Sequence, residues 1–226
     1  MKQSVSPLFM LFGILFTACL LISNILAIKI ITIGSLAVPA GVIIFPISYI
    51  VNDVIVEIWG YRKARFVIWI GFGMMVLSNL MYQLAIAIPA APFWTNQESF
   101  ARILESTPRI GIASILAYLS GSFANALVMS RMKVVSNGSN FSLRAILSTI
   151  VGEGLDSVIF IFVAFAGIIP AKQLVMMALV QTFIKTAYEI IILPVTIVVV
   201  NRVKRVENEN VFDNDISYNP FRLKEV

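Results

Sequence analysis

Long apolar runs separated by short polar links set the pattern of this chain. A run of about 20 apolar residues is long enough to cross a bilayer as a helix. Six such helices are expected, at 8–28, 38–58, 66–88, 110–129, 144–168 and 173–200. Pro7 suits the start of the first, and Lys29 at its far end can extend its stem to the headgroups. Pro39 and Pro46 lie in or beside the second, where Pro46 would kink it. The link Trp59-Gly60-Tyr61-Arg62-Lys63-Ala64-Arg65 is basic and aromatic and is expected at the membrane interface. Pro89 to Arg109 is the longest connection; its middle, Glu98 to Glu105, suits a short amphipathic surface helix. Gly111, Ser114, Ser120, Gly121 and Ser122 mark the fourth run as one that packs closely on a neighbour. Pro194 would bend the sixth. The expected fold is all-α, a polytopic membrane protein with a six-helix domain over 1–200. A polar cytoplasmic tail, 201–226, follows and is expected to be flexible before Tyr218-Asn219-Pro220-Phe221.

Composition sharpens the membrane reading. The chain is 59% hydrophobic and 13% charged, against about 45–50% and about 25% for a soluble domain. The net charge of +5 does not point to nucleic acid, because the basic residues sit in links between apolar runs. Cys19 stands alone, which excludes an intrachain disulfide and a cysteine metal knuckle. The absence of histidine removes the commonest general base and metal ligand. No cofactor or metal is expected. Residues 8–28 have no clear A-x-A cleavage site and further spans follow, so they are kept as a helix and not an export signal.

Charge also sets the expected orientation. With the N-terminus inside, six helices place both termini in the cytoplasm. The inside segments then carry 12 basic residues, from Lys2, Arg62, Lys63 and Arg65 through Arg131, Lys133 and Arg144 to Arg202, Lys204, Arg205, Arg222 and Lys224. The outside segments carry Lys29, Arg102, Arg109 and Lys172. This bias is the one the positive-inside rule requires. It also puts the two glycosylation-like strings, Asn137-Gly138-Ser139 and Asn140-Phe141-Ser142, on the cytoplasmic side, where they carry no meaning.

Ionisable residues inside the apolar runs carry the functional reading. Glu153 and Asp156 lie near the middle of the fifth run, three residues apart and so on one face. Lys185 and Glu189 approach the midplane from the sixth. Asp53 lies a turn deeper than Glu57 in the second. A charge at the bilayer centre costs roughly 2.5–3.5 kcal/mol even on lenient insertion scales. Lys185 is expected to pair with Asp156 or Glu153, with Glu189 a local competitor, and at least one carboxylate is left over. Asn79 and Gln83, on one face of the third run with Tyr82, and Asn125 in the fourth are candidate polar lining. Surplus acids suit a cation or a donor-rich heterocycle, so a small-molecule transporter is the expected class. A proton- or ion-coupled carrier of another small amine would show the same acids. An intramembrane metalloprotease is disfavoured by the missing H-E-x-x-H pattern.

An ordered set of strings resembles one family. Phe45-Pro46-Ile47-Ser48-Tyr49, Asp53, Glu57 and Gly60-Tyr61-Arg62-Lys63-Ala64-Arg65 open it. Ser120-Gly121 with Asn125, Gly152-Glu153-Gly154-Leu155-Asp156, and Lys185 with Tyr188-Glu189 and Pro194 continue it, and Tyr218-Asn219-Pro220-Phe221 ends it. Together they are similar to the queuosine precursor transporter family. That resemblance implies a six-helix bacterial inner-membrane protein resembling the substrate-binding subunits of energy-coupling-factor importers. It implies uptake of 7-cyano- or 7-aminomethyl-7-deazaguanine or, in some members, queuine. It carries over Asp53, Asp156 and Lys185 as shared polar positions, with Glu153 and Glu189 beside them. It leaves open an energy-coupling partner and a homo-oligomer. A guanine-like edge presents a ring N–H beside an exocyclic amine, which a carboxylate can accept in parallel. Asp156 is the first choice for that acceptor, Glu153 the second, and Lys185 the donor to the exocyclic oxygen.

Overall fold

The computed structural model describes residues 6–33, 36–105 and 108–222; Lys2 and Lys224 of the charge count lie outside them. Helix α1, Pro7–Leu26, starts where Ser6 caps it, its Oγ accepting from the Phe9 N–H at 3.2 Å. The expected link after it holds a small antiparallel hairpin, β1 (Ile30–Ile33) with β2 (Leu36–Pro39), and a 3-10 turn, Ala40–Ile43. Then come α2 (Phe45–Ala87), the short α3 (Gln97–Leu104), α4 (Pro108–Val135), α5 (Phe141–Phe165) and α6 (Ala171–Glu207).

Five helices are long and apolar enough to cross a membrane, α1, α2, α4, α5 and α6, and not the six expected from the sequence. The difference lies at Trp59–Arg65. That segment is no interfacial loop: it is helical, and Trp59, Tyr61 and Arg65 are buried. The expected second and third helices are two arms of one 43-residue run. A straight helix of that length would measure about 65 Å, twice the hydrocarbon thickness. The run bends instead at Gly60, whose φ of 82° and ψ of 171° are not helical and fall where only glycine is comfortable. Both arms lie along α4: Asn52 Nδ2 donates to Asn125 Oδ1 at 2.7 Å, and Tyr118 OH donates to the Ile68 carbonyl at 2.8 Å.

A break in a helix frees backbone groups that lipid cannot satisfy. The C-terminal segment satisfies them. Asp213 Oδ2 accepts from the Tyr61 N–H at 2.9 Å and from Ser130 Oγ at 2.5 Å. The Val211 N–H donates to the Ile58 carbonyl at 3.1 Å, and Lys133 Nζ donates to the Glu57 carbonyl. Arg65 stays in the helix because its guanidinium finds the carbonyls of Ser217 and Asn219, at 3.1 and 2.9 Å. Trp69 Nε1 reaches the Pro220 carbonyl at 2.8 Å. The segment expected to hang free is thus laid against the bend, and α6 runs on past residue 200 to Glu207.

Polarity is distributed as a bilayer solvent demands. Ile191 and Phe183 on α6 are 74% and 73% exposed, while Asp53, Arg65 and Glu57 are 0%, 0% and 1% exposed. Large apolar side chains line the outside and the charges are interior. The apolar core, with Phe16, Leu20, Ile55, Ile58, Tyr61, Ile68 and Met129, joins α1, both arms of α2, and α4.

Asp213→Ala leaves the Tyr61 N–H without its acceptor, so it should destabilise the fold by about 1–3 kcal/mol. Asp215→Ala, at an exposed position, should stay within about 0.5 kcal/mol. Equilibrium unfolding of the two variants in detergent measures both.

Candidate functional site

One stripe of α2 builds the site. Phe45, Tyr49, Asp53 and Glu57 follow at four-residue intervals and so share a broad face. Tyr49, Asp53 and Glu57 are fully buried. Each meets a different set of partners on α4, α5 and α6, in tiers from the bundle centre towards the Gly60 bend.

Backbone contact between α4 and α5 makes the central tier. A Cβ added at Gly152 would lie 2.6 Å from the Asn125 Cβ and 2.9 Å from the Gly121 carbonyl. One added at Gly121 would lie 2.8 Å from the Asp156 Cβ. Glycine at both positions lets the helices touch, and this brings Asn125 and Asp156 inward. Glu153 and Asp156 lie about 18 and 22 Å along α5, near its midpoint. Lys185 of α6 enters between them, its Nζ 2.6 Å from Glu153 Oε2 and 2.8 Å from Asp156 Oδ2. The same ammonium sits 4.1 Å from the Phe45 ring centroid, a cation–π contact. Tyr49 packs against Gly121 and Gly152 beside these acids.

The second tier lies one turn on. Asp53 meets Glu189 of α6, with Thr149 of α5 beside Glu189 and Asn125 of α4 beside Asp53. Ser148 Oγ stands 3.5 Å from Asp53 Oδ1. In the third tier Glu57 takes cations from three helices. Arg144 of α5 grips it with two nitrogens, Nη2 to Oε1 at 3.2 Å and Nη1 to Oε2 at 2.5 Å. Lys204 of α6 lies 2.6 Å from Oε1 and Lys133 of α4 lies 3.9 Å from it.

The structure therefore assembles Asp53, Asn125, Glu153, Asp156, Lys185 and Glu189 in one interior. Lys185 pairs with both α5 carboxylates, not with one. Glu189 does not compete for Lys185; it turns to Asp53. Asn79 and Gln83 are not brought in. Gln83 is exposed and Asn79 half-buried, on the arm of α2 whose Gly71 packs on Phe16, Leu20 and Tyr118, against α1 and α4. Glu57, a turn nearer the expected helix end than Asp53, is buried in a cage of cations. Phe45, Tyr49 and Thr149 were missed as site residues. The four-residue spacing that joined Asp53 to Glu57 would have found Phe45 and Tyr49; nothing in the sequence singles out Thr149. Among the described residues no group of three or more acids, cysteines or histidines could hold a metal ion.

Comparison with known proteins gives this interior its context. The family described as "Putative vitamin uptake transporter" matches residues 39–199, most of the chain and all of the site's residues but Lys204. The chain belongs to this family. It is a membrane transporter and not an enzyme. It is similar to the "Probable queuosine precursor transporter" of Bacillus subtilis (strain 168), 27% identical over 76% of each chain. It is also similar to the "Queuosine precursor transporter" of Escherichia coli (strain K12), 26% identical over 55% of this chain and 54% of that one. No solved structure matches. The family match ends at 199, before the Val211–Pro220 segment that closes the Gly60 bend.

Removing one partner of a buried ion pair typically costs about 3–5 kcal/mol, because an uncompensated charge remains. Lys185→Met should cost that much. Adding Glu153→Gln and Asp156→Asn to it should restore most of the loss. Thermal unfolding of the single and triple variants tests this coupling.

Proposed function

We propose that this protein imports a 7-deazaguanine precursor of queuosine across a bacterial inner membrane, through the interior bounded by α2, α4, α5 and α6. The observation that carries the reading is the Lys185–Glu153–Asp156 cluster at mid-bundle, with an aromatic ring against its ammonium, in a transporter whose relatives are named for queuosine precursors. The chemistry suits that cargo. One ammonium faces two carboxylates, so one of them can exchange its partner. A deazaguanine edge displaces Lys185 from Asp156, giving it a ring N–H and an exocyclic amine in parallel. Lys185 stays on Glu153 and donates to the exocyclic oxygen. The Phe45 ring, released from the ammonium, offers a face for the flat bicycle. Asn125 completes the polar contacts. An aminomethyl substituent is cationic and is received by Glu153, whereas a cyano substituent needs no acid.

The Gly60 bend, the end of α4, the start of α5 and the end of α6 gather Arg65, Lys133, Arg144 and Lys204 at one end of the bundle. The positive-inside rule turns that end to the cytoplasm. In a Cys19→Ser background, Asn137→Cys should resist a membrane-impermeant thiol reagent added outside, and Glu98→Cys should react. External labelling at 137 reverses the orientation.

Losing a charged hydrogen bond costs roughly 1.5–3 kcal/mol, and about 1.4 kcal/mol is tenfold in affinity. Asp156→Asn should thus weaken deazaguanine binding at least about tenfold. Calorimetry on purified protein, with both deazaguanines, guanine and an unrelated vitamin, measures it. Folded wild type that binds no deazaguanine removes the substrate assignment; equal binding by Asp156→Asn removes this acceptor.

A further inference from the structure

We propose that Asp53 and Glu189 together form a proton-binding site, separate from the substrate contacts, through which this transporter couples uptake to proton entry. The coupling rests on the transport reading above; the proton site does not.

The pair has an unusual position. Both carboxyls are buried, Asp53 at 0% and Glu189 at 3% exposure, and they meet at hydrogen-bonding range across the α2–α6 contact. An ionised carboxylate only accepts. Two such groups can bond to each other only if one holds a proton, and as two adjacent anions in a dry interior they would repel. Among the described residues no lysine or arginine forms an ion pair with either. The neighbouring charges are already committed. On α6, Lys185 stands one turn from Glu189 but is held by Glu153 and Asp156. On α2, Glu57 stands one turn from Asp53 and is held by Arg144, Lys204 and Lys133. On α5 the facing acid is Glu153, which feels Glu189; α4 contributes the neutral Asn125.

Atoms left without partners point to a ligand. Asp53 Oδ2 and Glu189 Oε2 are buried and take no hydrogen bond from a protein donor. Asn52, 1% exposed, also has a side-chain oxygen that accepts from no donor, one position from Asp53. Unsatisfied buried acceptors are expensive, and a proton shared between the two carboxyls removes the largest of them. Among the described residues no third acid, cysteine or histidine joins the pair as a metal ligand, and one proton is what two facing carboxyls need to bond to each other. The ligand is H⁺, which binds and leaves as such, with no bond to substrate and no redox change.

Placement explains coupling. The pair lies one turn from the substrate cluster on both α2 and α6: Tyr49 to Asp53, and Lys185 to Glu189. A proton on this pair keeps Lys185 from leaning towards Glu189 and holds it at Glu153 with the substrate, so substrate and proton bind and cross together. When the proton leaves to the cytoplasm, the ammonium leans towards Glu189, and the substrate loses its donor and leaves to the same side.

Two measurements on the full chain test this. In substrate-free purified protein near neutral pH, infrared spectroscopy should detect a protonated-carboxyl C=O stretch that is lost in both Asp53→Asn and Glu189→Gln. Should a neutral variant fail to fold, Asp53→Glu should shift that band without abolishing it. In proteoliposomes, an inward proton gradient should drive accumulation of 7-cyano-7-deazaguanine in wild type. The neutral variants should keep substrate exchange but accumulate at least tenfold less. A band unchanged in both variants, or accumulation driven by sodium with no response to the proton gradient, overturns the proposal. Absence of any deazaguanine binding with the band behaving as expected overturns the substrate reading and the coupling, and leaves the proton site standing.

Discussion

Glu57 is the carboxylate on which the bundle's geometry depends. Arg144, Lys204 and Lys133 converge on it from α5, α6 and α4, and it sits on α2 three residues before the Gly60 bend. A single acid thus fastens four helices at one end. The desolvation of so many charges is offset only if every one is paired with good geometry, and the two-nitrogen grip of Arg144 supplies that geometry. The Lys133 ammonium also satisfies the Glu57 carbonyl at the bend. The bend, the cation cage and the returning C-terminal segment are consequently one construction: each satisfies polar groups that another leaves open.

From that anchored end the α2 stripe runs inward into tiers with less charge compensation. At Glu57 three cations surround one acid. One turn inward, at Asp53 and Glu189, two acids meet with no cation. At the centre the single Lys185 serves two acids. The contrast separates a tier that holds structure from tiers that can exchange partners. Fully compensated charges gain nothing from a visiting solute, whereas under-compensated ones do. This places exchangeable chemistry at mid-bundle, beside the close glycine contact of α4 with α5.

The same contrast makes the interior stiff in some places and soft in others. The α4–α5 contact is close to backbone on backbone and resists any added atom. The α5–α6 contact rests on the Lys185 ion pairs and on a small apolar cluster of Ile161, Leu174 and Ala178. An interface held by exchangeable ion pairs can change arrangement when those pairs change partners, which is the property a transporter needs between its two faces.

The sequence by itself determined the membrane class, the interior placement of the central acids, and the pairing of Lys185 with α5 carboxylates. Each follows from local pattern: run length against bilayer thickness, and charges that lipid will not accept. The ordered strings also pointed to the family the chain belongs to. What only the tertiary structure decided is how distant segments satisfy one another. The charges of Trp59–Arg65 argued for a solvated loop, because nothing nearby in sequence could bond Arg65; its partners, Ser217 and Asn219, are some 150 positions away and keep it buried in a bent helix. Six expected helices became five for that reason. Gln83 has the same composition-level credentials as Asn125, yet one is exposed and the other buried beside Asp53, because rotation of a helix about its axis is set by neighbours and not by its own spacing. Glu189 turned from Lys185, four residues away, to Asp53 on another helix, because Lys185 was already held by two acids on α5. Short-range spacing lists the candidates for each buried charge; long-range packing chooses among them.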